Sequence, residues 1–390
     1  MKAKTIEQSF AVSFSYPVVF GRDLFAPGQP HLRDAVCRLG DPVPHRVLVF
    51  VDAGLVAAQP GLPERIQAYC AAHAGALELV QPPQAVPGGE AAKNDDALIV
   101  ELVDTLLAQR LCRHSCVIAV GGGAMIDAVG FAAAMVHRGL RLVRMPSTTL
   151  AQNDAGIGVK NGINRHGGKN TLGTFQPPFA VLNDLDLLDS LPDEHWIGGV
   201  SEAFKVAMIK DAAFFKALCR DAGRYRQRDR SAQEAMVIRC AQLHLEHIAT
   251  NGDPFESGLG RPLDFGHWAA HKLEGLSGYR ISHGAAVAVG LAIDTLYAAR
   301  RGWIDPADAA ALMQALAACG FPVWHPEMAQ RLADGRLALL QGLDDFQEHL
   351  GGELCVTFPA GLGRKQEVNT IDHPLMEQVI RTLKPSDRRV

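Results

Sequence analysis

Three parts of this chain carry side chains whose types and spacing can do chemistry. His267-Trp-Ala-Ala-His271 places two imidazoles at i and i+4 on one helix face. His283 follows after a short loop, and Glu202 lies in an earlier helical stretch beside Lys205. Two His and one carboxylate suit a catalytic Zn2+ and leave a coordination position for a substrate oxygen. A helical His pair alone is a modest signal, because such pairs are often surface or satisfied core residues. A zinc-protease reading fails, since Trp268 stands where that motif needs a Glu.

The second part is Gly121-Gly122-Gly123, which ends a strand-like run and opens a helical one. Glycines there let backbone N–H groups approach a pyrophosphate at the positive end of a helix. The spacing is not Gly-x-Gly-x-x-Gly, so a plain tight turn competes with a dinucleotide site. Asp52 follows a strand over 46–51 and is placed to take ribose hydroxyls, with helix N-capping as the alternative. Gly89-Glu90-Ala-Ala-Lys93 adds another loop-to-helix junction with polar ends. The third part, 145–170, reads as a long loop dense in glycine and amide side chains. Its Lys160, Lys169 and Asn170 can donate to phosphate. Long loops inside compact domains are usually functional or disordered, and a solvated surface loop is the alternative.

These groups need a frame to hold them. The first half alternates strands over 46–51, 115–120 and 140–145 with helices over 63–74, 90–109 and 124–136, which predicts a parallel, doubly wound sheet. Beyond about 191, Ala-rich amphipathic helices dominate: 201–210, 212–228, 231–250, 267–276, 283–301 and 306–319, with one late strand over 353–358. The expected architecture is an α/β, Rossmann-like domain over 1–190 and a mainly helical domain over 191–390. The Gly/Pro-punctuated loop 256–262 joins two of the helices and is a place for a site residue.

The 390 residues are enough for two such domains. A composition 48% hydrophobic and 21% charged, with net charge −4, gives no reason to expect nucleic acid or an anionic membrane surface. An anionic substrate stays compatible, because a local cluster of Lys and Arg can bind phosphate. No apolar core of signal-peptide length stands near the start, and the apolar run 284–299 is too short to cross a bilayer. Of the eight cysteines only Cys112 and Cys116 lie close, so free thiols in a cytoplasmic protein are expected.

Together the motifs resemble those of 3-dehydroquinate synthases, within the sugar phosphate cyclase superfamily. The resemblance is carried by Gly121-Gly-Gly-Ala-Met-Ile-Asp127, Arg138-Gly, Pro146-Ser-Thr-Thr-Leu-Ala-Gln-Asn-Asp154 and Lys160-Asn-Gly-Ile-Asn. It continues through Gly168-Lys169-Asn170, Ser201-Glu202-Ala-Phe-Lys205, Phe265-Gly-His267 and His283-Gly-Ala-Ala-Val-Ala-Val-Gly, and spans about 46–363 in family order. It implies Zn2+ (or Co2+) on Glu202, His267 and His283. It implies NAD+ on Asp52, Glu90, Lys93, Gly122, Gly123, Asp127, Thr148 and Thr149, with Lys160 and Lys169 near the shared site. Arg138, Lys160 and Asn170 are implied phosphate contacts, Asp154 and Lys205 substrate hydroxyl contacts, and His271 a proton carrier. The implied reaction is transient oxidation, phosphate elimination, reduction and intramolecular aldol closure, catalysed by a homodimer on a small phosphorylated sugar.

Four departures bear on the substrate. Asp264 stands where dehydroquinate-forming members have Asn, and Arg261 is displaced by one position from the family's loop arginine. The helix 239–247 lacks the expected lysine, with Ala241 or Gln242 there, and 345–352 lacks a Lys-Lys pair. These departures resemble the branch that cyclises sedoheptulose 7-phosphate to valiolone-type cyclitols. The physical reason agrees: the dehydroquinate precursor carries a carboxylate, which wants cations, whereas a hydroxymethyl group wants an acceptor such as Asp264. Arg261 is the counter-evidence, since it can meet a carboxylate. The rivals are a 3-dehydroquinate synthase, a glycerol-dehydrogenase-like oxidoreductase, which has no use for the phosphate set, and a cofactor-binding protein without turnover.

Overall fold

The chain was analysed as a computed structural model that describes residues 3–385, apart from 167, 251–254, 256–261 and 350–351. Arg261 and most of the loop 256–262 thus lie outside the described residues.

Apolar runs without an exposed face form the centre of the first half, as a sheet covered on both sides requires. In chain order the strands are β1 (Val18–Gly21), β2 (His45–Asp52), β3 (Leu77–Leu79), β4 (Gln84–Val86), β5 (Cys116–Gly121), β6 (Arg141–Pro146), a separate hairpin β7 (Lys160–Arg165) and β8 (Gly168–Phe175), then β9 (Ala180–Asp184). Seven of them make one parallel sheet in the order β1-β9-β6-β5-β2-β3, with β4 also on β2. Helices α1 (His31–Cys37), α2 (Ala53–Ala58) and α3 (Leu62–Ala72) belong to this half, as do α4 (Asp96–Ala108) and α5 (Gly123–Met135). The chain leaves β2 toward β3 and β4 and returns on its other side as β5, so the order reverses between β2 and β5. Ligands of open α/β sheets bind outside the carboxyl ends of the strands at such a switch point.

From Asp193 the fold is helical: α6 (Asp193–Lys210), α7 (Ala212–Arg226), α8 (Arg230–Thr250), α9 (His267–Leu276), α10 (His283–Arg300) and α11 (Pro306–Cys319). A small antiparallel pair, Val356–Pro359 with Lys365–Val368, and the helix His373–Thr382 follow. The core of this half is one cluster in which α6 and α10 are buried along nearly their whole lengths. No helix among the described residues is long and apolar enough to cross a membrane. The cysteines are free.

The region read as a loop over 145–170 is ordered structure. A π-helical turn, Ala151–Ala155, is followed by the β7–β8 hairpin, which the glycine and amide content had hidden. The hairpin lies on α5, and Gly130 makes that possible: a Cβ there would stand 2.0 Å from Asn161 Oδ1. Underneath, Arg144 in β6 is wholly buried and donates to the carbonyls of Gly158 at 2.8 Å and Lys160 at 3.1 Å, and to Asn161 Oδ1 at 2.8 Å. Gly130→Ala should therefore cost about 1–3 kcal/mol through overpacking. Gly223→Ala in α7, where a Cβ meets nothing within 4 Å, should be neutral or stabilising by about 0.5–1 kcal/mol. Thermal unfolding of both variants checks the contrast.

Candidate active site

Two glycines let α6 and α10 meet without side chains between them. They are Gly198 and Gly284, since a Cβ on Gly284 would lie 2.3 Å from the Gly198 carbonyl; the next residue, Gly199, instead packs α6 onto Leu150. This contact brings the first residue of α10, His283, onto the face of α6 that carries Glu202 and Lys205 one turn apart. His283 Nε2 lies 3.3 Å and His267 Nε2 3.6 Å from Glu202 Oε1, and the donor atoms of the three residues fall within 4.8 Å of one another.

The outer nitrogen of each ring is directed. His267 Nδ1 faces the Phe265 carbonyl at 3.2 Å, and since a carbonyl only accepts, that nitrogen carries the proton. His283 Nδ1 faces Glu274 Oε2 at 3.1 Å. Both Nε2 atoms are thereby free to converge on Glu202. Both Glu202 oxygens are buried, and neither accepts a well-directed hydrogen bond. Burial opposes its charge, but Lys205 and His267 outweigh that and hold the carboxyl well below its usual range. Burial likewise works against charge on His283, yet Glu274 and Glu202 raise the imidazole to about 9. A buried carboxylate with Lys205 at one oxygen and two imidazole Nε2 atoms turned toward the other describes a pocket that calls for positive charge. A divalent ion fits it.

Around the triad lie the groups able to hold a substrate. Lys205 Nζ is 2.5 Å from Glu202 Oε2 and 3.5 Å from Asp154 Oδ2. Burial would depress Lys205, but Asp154, Glu202 and Asp264 together raise it, which keeps it an ammonium. Asp264 is half-buried in the short turn Pro262–Asp264. The ring of His271 stacks on that of His283 at 5.9 Å between centroids. A second grouping, His271, Glu274 and His283, shares His283 with the triad, and there Glu274 acts as the carboxylate behind the ligand.

Across the cleft the sheet supplies a crevice. Asp52, Gly88 and Gly121 meet at the carboxyl ends of β2, β4 and β5: a Cβ on Gly88 would lie 2.2 Å from Asp52 Oδ2, and one on Gly121 3.0 Å from Asp52 Cβ. Asp52 Oδ1 caps α2, accepting from Gly54 N–H at 2.8 Å, so the capping role does occur. Gly122 and Gly123 open α5, with Thr148 opposite Gly122. Lys93 is buried and donates to Asp127 Oδ2 at 2.7 Å and to Asn170 Oδ1, while Asn164 Nδ2 donates to Glu90 Oε1 at 2.6 Å. Lys169 reaches the helical half and pairs with Glu274 at 2.8 Å. Lys160 stands exposed at the start of β7.

Two expected site residues stand elsewhere. Thr149 is fully buried, and its hydroxyl donates to the Trp196 carbonyl at 2.8 Å while accepting from Gln233 Nε2 at 2.8 Å, so it fastens α6 and α8 instead of lining the crevice. Arg138 is exposed past the far end of α5, with φ +63°, and makes no ion pair or side-chain hydrogen bond among the described residues. Its neighbour Gly139 packs against Gln176, just past the end of β8 that pairs with Lys160, so Arg138 stands toward the Lys160 end of the hairpin. Sequence reasoning also missed three residues. His244 lies with Nδ1 2.8 Å from Asp154 Oδ1, whereas Ala241 is buried in the core and Gln242 faces solvent. His244 is thus what α8 sends to the site. Glu274 was signalled only by its position one turn after His271. Arg144 was signalled by its charge inside an apolar strand.

Comparison with known proteins places these residues in a family. The model described as 3-dehydroquinate synthase N-terminal matches residues 84–198, and 3-dehydroquinate synthase C-terminal matches 199–338. A 3-dehydroquinate synthase of Methylococcus capsulatus is 33% identical over 94% of this chain and 95% of its own. That of Pelobacter propionicus is 37% identical over 65% of this chain and 69% of its own. Among solved structures, ValA, the 2-epi-5-epi-valiolone synthase of Streptomyces hygroscopicus subsp. jinggangensis with NAD+ and Zn2+ bound, superposes with a TM-score of 0.85. It shares 29% identity over 97% of this chain and 99% of its own.

The triad's geometry predicts the effect of removing its members. His283→Ala and Glu202→Ala should lose Zn2+ on dialysis, because two remaining ligands hold the ion weakly. Glu274→Gln should bind it about 10–100-fold more weakly by loosening His283. Metal content by elemental analysis and affinity by chelator competition measure both.

Proposed function

The chain belongs to the 3-dehydroquinate synthase family, and we propose that it is a sugar phosphate cyclase acting on a seven-carbon ketose phosphate of the sedoheptulose 7-phosphate type. The observation that carries this reading is the charge around Lys205. Three carboxylates, Glu202, Asp154 and Asp264, act on that one buried ammonium. A substrate carboxylate brought there meets like charge in a partly desolvated place, which costs several kcal/mol on the order of a buried unpaired ion. A hydroxyl meets acceptors. The likeness to a 2-epi-5-epi-valiolone synthase over nearly the whole chain supports the same branch. The curated relatives named 3-dehydroquinate synthase favour a second reading, in which Arg261 supplies the missing cation.

When bound, NAD+ supplies a transient oxidation of a ring carbon, and Zn2+ or Co2+ polarises the oxygen on that carbon. Glu202, His267 and His283 hold the ion. Asp52, Glu90, Lys93, Gly122, Gly123, Asp127 and Thr148 line the dinucleotide crevice. Lys205 and Asp154 hold neighbouring substrate hydroxyls, with His244 fixing the far side of Asp154. His271, outside the triad but against it, moves protons between substrate and cleft. Lys160, Lys169 and Asn170 on the hairpin receive the phosphate and, through Lys169 and Glu274, close the cleft against water. The reading includes a homodimer in the cytoplasm.

Incubation with sedoheptulose 7-phosphate should release inorganic phosphate over many turnovers of one bound NAD+, with no net NADH at about 340 nm, since the cofactor is regenerated. Stoichiometric NADH from a polyol would sink the cyclase reading. The kcat/KM ratio for this sugar over the carboxylated precursor of dehydroquinate should exceed one. Asp264→Asn should move that ratio toward the carboxylated sugar by about tenfold or more, the equivalent of about 1.4 kcal/mol. If the native chain prefers the carboxylated sugar and Arg261→Ala abolishes the preference, the second reading holds.

A further inference from the structure

Helix α10 carries an acidic residue that the site chemistry leaves unused. Asp294 stands three turns beyond His283, fully buried among Ala, Val, Leu and Ile. Both of its oxygens are engaged: Oδ2 accepts from the Gly266 backbone N–H at 3.0 Å and Oδ1 from the Trp268 indole N–H at 2.9 Å. Gly266 and Trp268 are the two neighbours of His267. One turn before Asp294, Gly290 has no room for a side chain, because a Cβ would lie 1.9 Å from the Gly266 carbonyl. Gly266 itself holds φ +81°, a conformation glycine adopts at little steric cost.

These contacts form one device. The Phe265–Gly266–His267 turn is pressed against α10 at Gly290 and tied to it at Asp294. Phe265 then offers the carbonyl that His267 Nδ1 faces at 3.2 Å, the contact that fixes the tautomer and turns Nε2 toward Glu202. Trp268, the largest fully buried side chain, is the wedge on the other side. Burial raises the Asp294 carboxyl to about 7, since two neutral donors compensate it only in part. A buried indole N–H needs nothing stronger than a neutral acceptor such as a backbone carbonyl. A carboxyl that spans both flanks of His267 is placed for its geometry.

We propose that Asp294 is a positioning residue for the metal ligand His267, holding from behind the turn that aims Nε2 into the triad. This rests on the reading of Glu202, His267 and His283 as a metal site. Asp294→Asn keeps the size but sets an amide N–H against one of the two donors. Trp268→Phe keeps the aromatic bulk and removes only the Oδ1 contact. The test is Zn2+ affinity by chelator competition, with the visible spectrum of the Co2+-loaded protein, for the native chain, both variants and His267→Ala. Thermal unfolding of each metal-free form runs alongside. Both variants should bind Zn2+ about 10–100-fold more weakly and shift the Co2+ bands, while the metal-free forms still unfold cooperatively. Asp294→Asn with native affinity and an unaltered Co2+ spectrum overturns the proposal. If Asp294→Asn does not fold, Trp268→Phe decides in the same way: weakened affinity with shifted bands supports positioning, and native values overturn it. If His267→Ala binds Zn2+ as tightly as the native chain, the triad reading falls and the proposal with it.

Discussion

Glu202 is a carboxylate with no exposure, set in α6, which with α10 is buried along nearly its whole length. Taking such a charge out of water costs several kcal/mol unless opposite charge and directed donors answer it. Lys205 answers part of it at 2.5 Å, and two imidazoles turn their Nε2 atoms toward the rest. The arrangement around this one group accounts for features that otherwise look unrelated. Small residues where α6 meets α10, a left-handed turn before α9 and a second buried carboxylate behind His283 all serve to bring nitrogen atoms to one point. Removing any of them leaves a buried anion facing an incomplete set of partners.

The same economy joins the two halves of the molecule. The glycine loop and Asp52 belong to the sheet, whereas the triad belongs to the helices, so chemistry between a dinucleotide and a metal-held substrate needs the halves held in register. The β7–β8 hairpin does this. It rests on α5 through Gly130, is held from below by the buried Arg144, and reaches α9 through the Lys169–Glu274 pair. Glu274 faces Lys169 with one oxygen and His283 with the other. A lysine on the hairpin and the orientation of the His283 ring are therefore mechanically linked through one carboxylate.

Under the proposed function, substrate choice lives at the edge of this network. Asp264 acts on Lys205, and His244 Nδ1 lies 2.8 Å from Asp154 Oδ1, both outside the triad. Change at these two positions can retune which sugar is accepted while the buried ligand set stays as it is.

Much of this was determined by the sequence alone. Strand–helix alternation fixed a parallel sheet because unbroken apolar runs such as Val47–Val51 need cover on both faces, and the i, i+4 imidazoles had to share a helix face. The glycine loop was legible because it depends on residue type at short range, whereas the set Glu202, His267 and His283 and the departure at Asp264 were read through the family resemblance. Tertiary structure decided what depends on distance across the chain. Only packing could show that Thr149 faces α8, that Arg138 stands past the far end of α5, or that a stretch read as loop is a hairpin held by Arg144. Helix phase, too, is set by contacts and not by motif: α8 turns Ala241 inward, Gln242 to water and His244 to Asp154 because Ile157 and Val181 claim the apolar side. Asp294 is the clearest case, since twenty-eight residues of chain separate it from the Gly266 amide it holds, and nothing local to either one foretells the contact.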